Sequence, residues 1–285
     1  MMSNVLRIGG VPEHFNLPWR LAVADDAFGK TGVRYSEHPQ GTGELTRALR
    51  DGELDLALVL TEGAVLDVLK YDANRLVKVY VESPLTWGIH VAANSDIKRV
   101  GDIRCRRIAI SRYGSGSHLI SIVDAIKRGW RVEEMLFSLV DDLDGARRAL
   151  ASGLADVFLW ERHTTQPFVD NGEFRRVGQR IAPWPAFVVS ARRELLASRA
   201  NDIREVLDVV ARYARNFKRR KTAAKLVAHT YGLELAGART WLADVRWCSG
   251  YGRPNAAISK VVTALQAQQA IPPGQVDPDR LWHGI

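Results

Sequence analysis

The pattern Arg-Ala-Leu-x-x-Gly-x-x-Asp occurs twice in the chain, at 47–55 and at 148–156, and each copy runs into an apolar stretch. In a helix, Ala48 and Leu49, or Ala149 and Leu150, supply a packing face. Gly52 and Gly153 suit the left-handed turn that ends a helix, and Asp55 and Asp156 each open a buried strand. One such element in each half predicts two related lobes rather than one continuous sheet. Around these copies, short apolar runs alternate with longer helical patterns, the signature of βαβ units and mainly parallel sheets.

Val5–Ile8 reads as the first strand, Leu17–Phe28 as a helix closing at Gly29, and Val33–Glu37 as the second strand. Gly41-Thr42-Gly43 opens the helix that carries Leu45, Ala48 and Leu49, and Leu54–Leu60 is a third, buried strand. Val77–Glu82 and Trp87–Ala92 are joined through Ser83-Pro84-Leu85-Thr86, which suits a crossing between lobes. Ile108–Ser111 begins the second sheet, and a helix follows from Ser115 to about Lys127. Pro183-Trp184-Pro185 before Ala186–Val189 reads as the return crossing. From about Arg192 to Ala270 the chain reads as almost entirely helical, with Ile203, Val206, Leu207, Val210 and Tyr213 at the 3.6-residue period. The expected division is therefore 1–87 and 187–285 for the first lobe and 88–186 for the second. The 285 residues suffice for two modest cores.

A formal charge of +8 raises the question of nucleic acid. The densest basic run, Lys218-Arg219-Arg220-Lys221, lies in a helical pattern with no DNA- or RNA-binding signature beside it, so it reads as a solvated helix face. A general attraction for anions remains. Cys105 and Cys248 stand far apart, without metal spacing, and read as two reduced, buried thiols. The start, Met1 to Ile8, lacks the features of a secretory signal, so a cytoplasmic location is expected, or a periplasmic one if a leader has been removed. No 18 uncharged apolar residues run together, so no membrane insertion is expected.

The segment richest in chemistry is Ser111-Arg112-Tyr113-Gly114-Ser115-Gly116-Ser117-His118, at a strand-to-helix junction. Its glycines let the backbone turn tightly, Ser115 and Ser117 offer hydroxyls, and a helix N-terminus favours negative charge. It lacks the Gly-Lys-Ser/Thr ending of a nucleotide-phosphate loop. Other loops occupy equivalent strand ends: Val11-Pro12-Glu13-His14, Gly41-Thr42-Gly43, Thr61-Glu62-Gly63 and Trp160-Glu161-Arg162-His163-Thr164. Ligands of open α/β sheets bind outside the carboxyl ends of the strands. The candidate ligand contacts are accordingly Glu13, His14, Thr42, Glu62, Tyr113, Ser115, Gly116, Ser117, His118, Trp160, Glu161 and His163. Trp160 equally suits the core, because Phe158 and Trp160 alternate onto one face of their strand. No catalytic, metal or cofactor motif accompanies these residues, so no catalytic residue, metal or cofactor is assigned.

This layout resembles the type II periplasmic-binding fold. Within it, the chain resembles the substrate-binding proteins of nitrate, sulfonate and taurine ABC transporters and the thiamine-pyrimidine-synthase-like group. The resemblance rests on Gly41-Thr42-Gly43 with Ala48-Leu49-x-x-Gly52-x-x-Asp55, and on Ser95-Asp96-Ile97-x-x-Val100-x-Asp102-Ile103-Arg104 before Ile108-Ala109. Gly114-Ser115-Gly116-Ser117, the Asp156 strand and the helical tail complete it. It implies an α/β protein of two lobes, each a mainly parallel sheet flanked by helices, with a ligand cleft between the lobes and closure about a hinge. It also implies a small polar, anionic or amphoteric ligand, with Ser115, Ser117 and Thr42 matching the donors to an anionic head group, and an ABC transporter as partner. Glu62 and Glu161 argue against a bare oxyanion, since unpaired carboxylates beside another anion are costly. The cysteine-rich segment of the pyrimidine synthases is missing. A cytoplasmic enzyme of the thiamine-pyrimidine or menaquinone pathways on the same fold is the alternative to a non-enzymatic binding protein.

Overall fold

Both copies of the repeated pattern do the same structural work. In a computed structural model describing residues 5–285, the chain runs β1 (Leu6–Gly10), α1 (Leu17–Ala24), β2 (Val33–Glu37), α2 (Thr42–Arg50), β3 (Leu56–Leu60), α3 (Thr61–Tyr71) and β4 (Asn74–Val81). It continues through β5 (Thr86–Ala92), β6 (Arg107–Ile110), α4 (Gly116–Lys127), β7 (Leu136–Leu139), α5 (Leu143–Ser152), β8 (Val157–Glu161), α6 (Gln166–Asp170) and β9 (Phe174–Ile181). It ends with β10 (Phe187–Arg192) and four helices, α7 (Arg193–Arg219), α8 (Ala223–Tyr231), α9 (Leu235–Asp244) and α10 (Asn255–Ala267). Met1 to Asn4, which precede the expected first strand, lie outside the described residues.

Two compact units result. One comprises the chain up to Ser83, Trp184–Val262 and Gly274–Ile285, and the other comprises Pro84–Pro183 and Thr263–Pro273. The first holds a sheet of order β2-β1-β3-β10-β4, and the second a sheet of order β7-β6-β8-β5-β9. In the first, β1 pairs in parallel with β2 and β3, while β10 runs antiparallel to β3 and β4. In the second, β6 pairs in parallel with β7 and β8, while β5 runs antiparallel to β8 and β9. Each sheet therefore has four strands in one direction and one reversed, in the same spatial arrangement.

The two aspartates explain the repeat. The Asp55 carboxylate accepts from the backbone N–H of Arg7 at 2.9 Å and from its guanidinium, while Asp55 N–H donates to Arg7 O. Asp156 and Arg107 repeat every one of these contacts, with the backbone bond again at 2.9 Å. Each aspartate thus pins the start of the strand it opens to the start of its parallel neighbour. Gly52 and Gly153 supply the left-handed turns before them, with φ of 74° and 73°. Burial works against both charges, but the arginine hydrogen bonds prevail and hold both carboxyls below their ordinary value. The Asp55 side chain is 7% exposed and that of Asp156 24%. Asp55→Ala is therefore expected to cost about 1–3 kcal/mol, and Asp156→Ala less, because water reaches the groups it leaves unpaired. Urea denaturation of the two variants checks the order.

The cores form where the apolar runs place them. Leu6, Ile8, Leu56, Leu58, Trp19 and Phe187 are fully buried in the first unit. In the second, Ala109, Ala146, Leu150, Phe158 and Phe174 pack together. Ile203, Val206, Leu207, Val210, Ala214 and Phe217 make the buried stripe of α7.

Three expectations need correction. Thr61-Glu62-Gly63 is not a loop but the first turn of α3, which follows β3 without a break. The cysteines are free but not buried: Cys105 is exposed in a surface turn with φ of 59°, and Cys248 is half-buried. The basic run does not lie wholly within a helix or wholly in solvent. The α7 helix ends at Arg219, and the Lys218 ammonium donates to the carbonyls of Ala243 and Val245 at the end of α9, where positive charge is favoured.

Candidate functional site

Each unit carries polar side chains at the carboxyl ends of neighbouring parallel strands. In the second unit these follow β6 and β8. Gly114, with φ of 77°, turns the chain after β6, and Ser115 caps α4, its Oγ accepting from His118 N–H at 3.4 Å. The hydroxyls of Ser115 and Ser117 lie 3.1 Å apart, and Ser117 Oγ also accepts from Ser111 N–H at 3.4 Å. The amides of Gly116 and Ser117 belong to the first turn, which no intrahelical acceptor reaches.

The chemistry of His118 is fixed by its surroundings. Its Nδ1 accepts from Gly114 N–H at 3.0 Å, so its proton sits on Nε2. Burial pushes its pKa down to about 4, which keeps the ring neutral. Tyr113, exposed, and Phe137 meet it edge-on, with centroids 5.2 and 4.6 Å away. Tyr113, Ser115, Gly116, Ser117 and His118 thus form one cluster rich in hydrogen-bond donors.

The turn after β8 is organised around Glu161 and Thr165. The buried Glu161 carboxylate accepts from Thr164 N–H at 2.6 Å and from its hydroxyl at 3.0 Å. Burial still holds its pKa above the ordinary value, against those hydrogen bonds. His163 is buried with its Nε2 3.4 Å from Arg162 Nη2, and Trp160 stacks on Phe158 at 5.3 Å against the core.

Beneath this turn lies a network that pattern reading did not find. His90, fully buried in β5, has its Nδ1 3.3 Å from the carbonyl of Phe158 and its Nε2 3.0 Å from Thr165 Oγ1. Arg176 Nε donates to the same Nε2 at 3.3 Å. Burial first, and the charge of Arg176 second, push His90 down to about 3, so it serves as a neutral link. The only hint in the sequence is a histidine inside an otherwise apolar strand.

In the first unit the candidates follow β1, β2 and β3. His14 is buried among aromatic rings, 4.7 Å from Phe15, 4.5 Å from Trp241 and 5.8 Å from Tyr231, and Glu13 beside it is half-buried. Thr42 opens α2 and its hydroxyl accepts from Leu60 N–H at 3.1 Å, tying the helix to the end of β3. A Cβ on Gly63 would lie 2.4 Å from Thr42 Cγ2, so only glycine allows α2 and α3 to start this close together. Glu62 is buried, and its Oε2 accepts from the indole N–H of Trp184 at 2.9 Å. Burial pushes its pKa up to about 7, opposed by its own backbone N–H and the indole. Thr61 Oγ1 donates to Pro185 O at 2.6 Å, latching the segment after Pro183 onto the start of α3.

Thr42 and Glu62 thus start neighbouring helices of one unit, and in the other the 113–118 group follows β6 while Glu161 and His163 stand at the end of its paired strand β8. Among the described residues no group of three or more His, Cys, Asp or Glu is placed to hold a metal ion. No helix among them is long and apolar enough to cross a membrane.

Comparison of the whole chain with solved structures decides the architecture. The product of the Candida albicans gene CA3427, described as exhibiting the generic periplasmic binding protein structural fold, superposes with a TM-score of 0.85. The match covers 95% of this chain and 92% of that one, at 23% identity. This chain has the periplasmic binding protein fold. Residues 87–180, about a third of the chain, also match the family of Ca3427-like periplasmic binding proteins. The alkanesulfonate-binding protein SsuA from Xanthomonas axonopodis pv. citri, bound to MOPS, has a TM-score of 0.81 and 19% identity, over 96% of each chain. The periplasmic aliphatic sulphonate binding protein SsuA from Escherichia coli has 0.76 and 18%, over 99% of this chain and 93% of that one. Comparison with curated proteins gave no match. Identities this low carry the periplasmic binding protein fold and leave the ligand to the residues themselves.

Proposed function

We propose that this protein binds a small polar molecule bearing an anionic group, and that it does so without turning the molecule over. The observation that carries the reading is the donor cluster at the start of α4. The first-turn amides of Gly116 and Ser117, two serine hydroxyls and the neutral Nε2–H of His118 gather at one strand end. Helix N-termini of this kind favour anions. The fold shared with sulfonate-binding proteins supports the same class of ligand.

A thermal-shift panel of inorganic anions, alkylsulfonates, amino acids, pyrimidines and small aromatic acids tests it. A ligand at about 100 times its dissociation constant adds roughly 2.7 kcal/mol of stability. For a chain of this size that is a rise of about 5–10 °C in Tm. Ser117→Ala is expected to weaken the hit by about 1–3 kcal/mol if its hydroxyl serves the ligand. Mass spectrometry of the recovered hit separates binding from turnover: an unchanged mass supports the binding protein, and a product mass supports the enzyme. A panel without a hit, or a hit that Ser117→Ala leaves untouched, counts against the anion site at α4.

A further inference from the structure

We propose that the first unit carries an anion site of its own, a row of arginines at the amino end of its sheet that takes a small phosphate-bearing molecule.

The row follows from strand register. Along the order β2-β1-β3-β10, Arg34, Arg7, Asp55 and Arg192 stand on or beside four neighbouring strands, all within that unit. Arg34 and Arg7 are direct partners in the parallel pairing of β2 with β1. Asp55 N–H donates to Arg7 O, and Arg192 N–H donates to Asp55 O, which aligns the other two. The row lies where β1, β2 and β3 begin, the opposite end from the carboxyl edge at which sheets of this kind bind ligands. Beside it is a cavity of about 400 Å³, lined by these four residues and by Arg199 of α7. Four arginines thus stand around one aspartate.

That aspartate is already engaged. Asp55 Oδ2 accepts from the backbone N–H and Nε of Arg7, and Oδ1 accepts from Arg7 Nη2 at 2.7 Å. Arg192 Nη2 lies 3.9 Å from the same Oδ1, too far for a hydrogen bond. Its Nε is buried with no hydrogen-bond partner, and its Nη1 packs on Gly52, where a Cβ would come within 2.6 Å. With its side chain only 22% exposed, Arg192 cannot turn wholly to water. Arg34 is exposed, and its charge repels that of Arg7 on the next strand. Arg199 is held by Asp202, its Nε donating at 2.8 Å. After these pairings, Arg34 and Arg192 flank Arg7 as two charges without a full counter-ion. Such a row calls for an anion of two or more charges. A phosphate or pyrophosphate group supplies it, with several oxygens that match the planar forks of guanidinium groups.

Calorimetric titration of the full chain with pyrophosphate tests this, with methanesulfonate and citrate as controls at constant ionic strength. Pyrophosphate is expected to bind roughly tenfold or more tightly than either control. Arg34→Ala and Arg192→Gln should each weaken it by about tenfold. Arg34 is exposed, so its truncation reads binding without disturbing the core, and it decides the matter even if Arg192→Gln folds poorly. No binding of pyrophosphate, or binding that Arg34→Ala leaves untouched, overturns the inference. Citrate bound as tightly as pyrophosphate would show a response to charge alone and overturns the phosphate assignment. Pyrophosphate binding that Ser117→Ala abolishes and the arginine variants keep would place the anion at α4 and overturns the inference equally.

Discussion

Between pH 4.5 and pH 7 the protein is expected to lose about 3 kcal/mol of stability relative to Glu62→Gln, with the difference flat on either side of that window. The carboxyl ionises near 4.5 in the unfolded chain, whereas burial holds it protonated in the fold up to about pH 7. Below 4.5 both states are protonated and Glu62 contributes its full share. As the pH rises, the unfolded state gains the freedom to ionise first, so unfolding becomes easier until the folded carboxyl also ionises. A difference of this size between the two titrations is worth about 3 kcal/mol. His90 and His118 act in the opposite direction. Both are neutral in the fold with values pushed down to about 3 and about 4, so the stability they provide is present above 6.5 and declines as the pH falls below it. The total profile of the protein can therefore look flat. The difference from Glu62→Gln isolates the carboxyl, because the constant cost of the substitution drops out of the slope. Urea denaturation of both proteins at pH 4.5, 5.5, 6.5 and 8 gives the answer; parallel profiles would show that Glu62 is compensated or reached by water.

Legibility in the sequence followed how local each interaction is. Strands β1, β2, β3 and β5 could be read because their residues are apolar or alternate, and α2 and α5 because Gly52 and Gly153 end them. The repeated Arg-Ala-Leu pattern reveals two related units because its helix, its left-handed glycine turn and its strand are contiguous in the chain, whereas the arginines that its aspartates hold, Arg7 and Arg107, lie 48 and 49 residues away. The β9 strand, Phe-Arg-Arg-Val-Gly-Gln-Arg-Ile, escaped notice. As an edge strand it exchanges an apolar face for Arg175, Arg176 and Arg180, whose guanidinium groups find partners far along the chain in Ile97, His90 and Asp124. The short edge strand β7 exposes Leu136 and Leu139, so its apolar residues do not report a buried face. The start of α3 reads as a loop because Gly63 stands just past the apolar strand, whereas the helix follows β3 without a break. At the site, the α4 cluster was legible because it is a single turn with its own caps. The surroundings of Glu62 were not: its partner Trp184 stands 122 residues away. His14 reads as a polar loop residue until the fold places Tyr231 and Trp241 around it.

The β9 edge also supplies the largest stability effect expected of a single residue: Asp124→Ala should cost about 3–5 kcal/mol, the usual loss when one partner of a buried ion pair is removed. Asp124 lies in α4, 2% exposed, and its Oδ1 accepts from Arg180 Nε at 2.6 Å and also from Nη2 of the same guanidinium. Its Oδ2 accepts from Arg128 Nε at 2.7 Å, one helical turn further on. The two arginines differ in how much they depend on the carboxylate. Arg128 is 30% exposed and can turn to water, so Arg128→Ala should cost less than about 1 kcal/mol. Arg180 is only 13% exposed, so removing Asp124 leaves a buried guanidinium without its counter-charge. The coupling has a sharper signature than either single loss. Arg180→Met combined with Asp124→Leu removes both charges and offers apolar volume instead, and should recover most of the cost of the single changes. A double variant as unstable as the sum of its parts would mean that the pair is not coupled, and that β9 is held by its backbone pairing with β5, the packing of Phe174 and the hydrogen bonds of Arg175 and Arg176. Recovery in the double variant would show that an edge strand with so few apolar residues is fixed to α4 by one buried ion pair, which a search for apolar periodicity cannot detect.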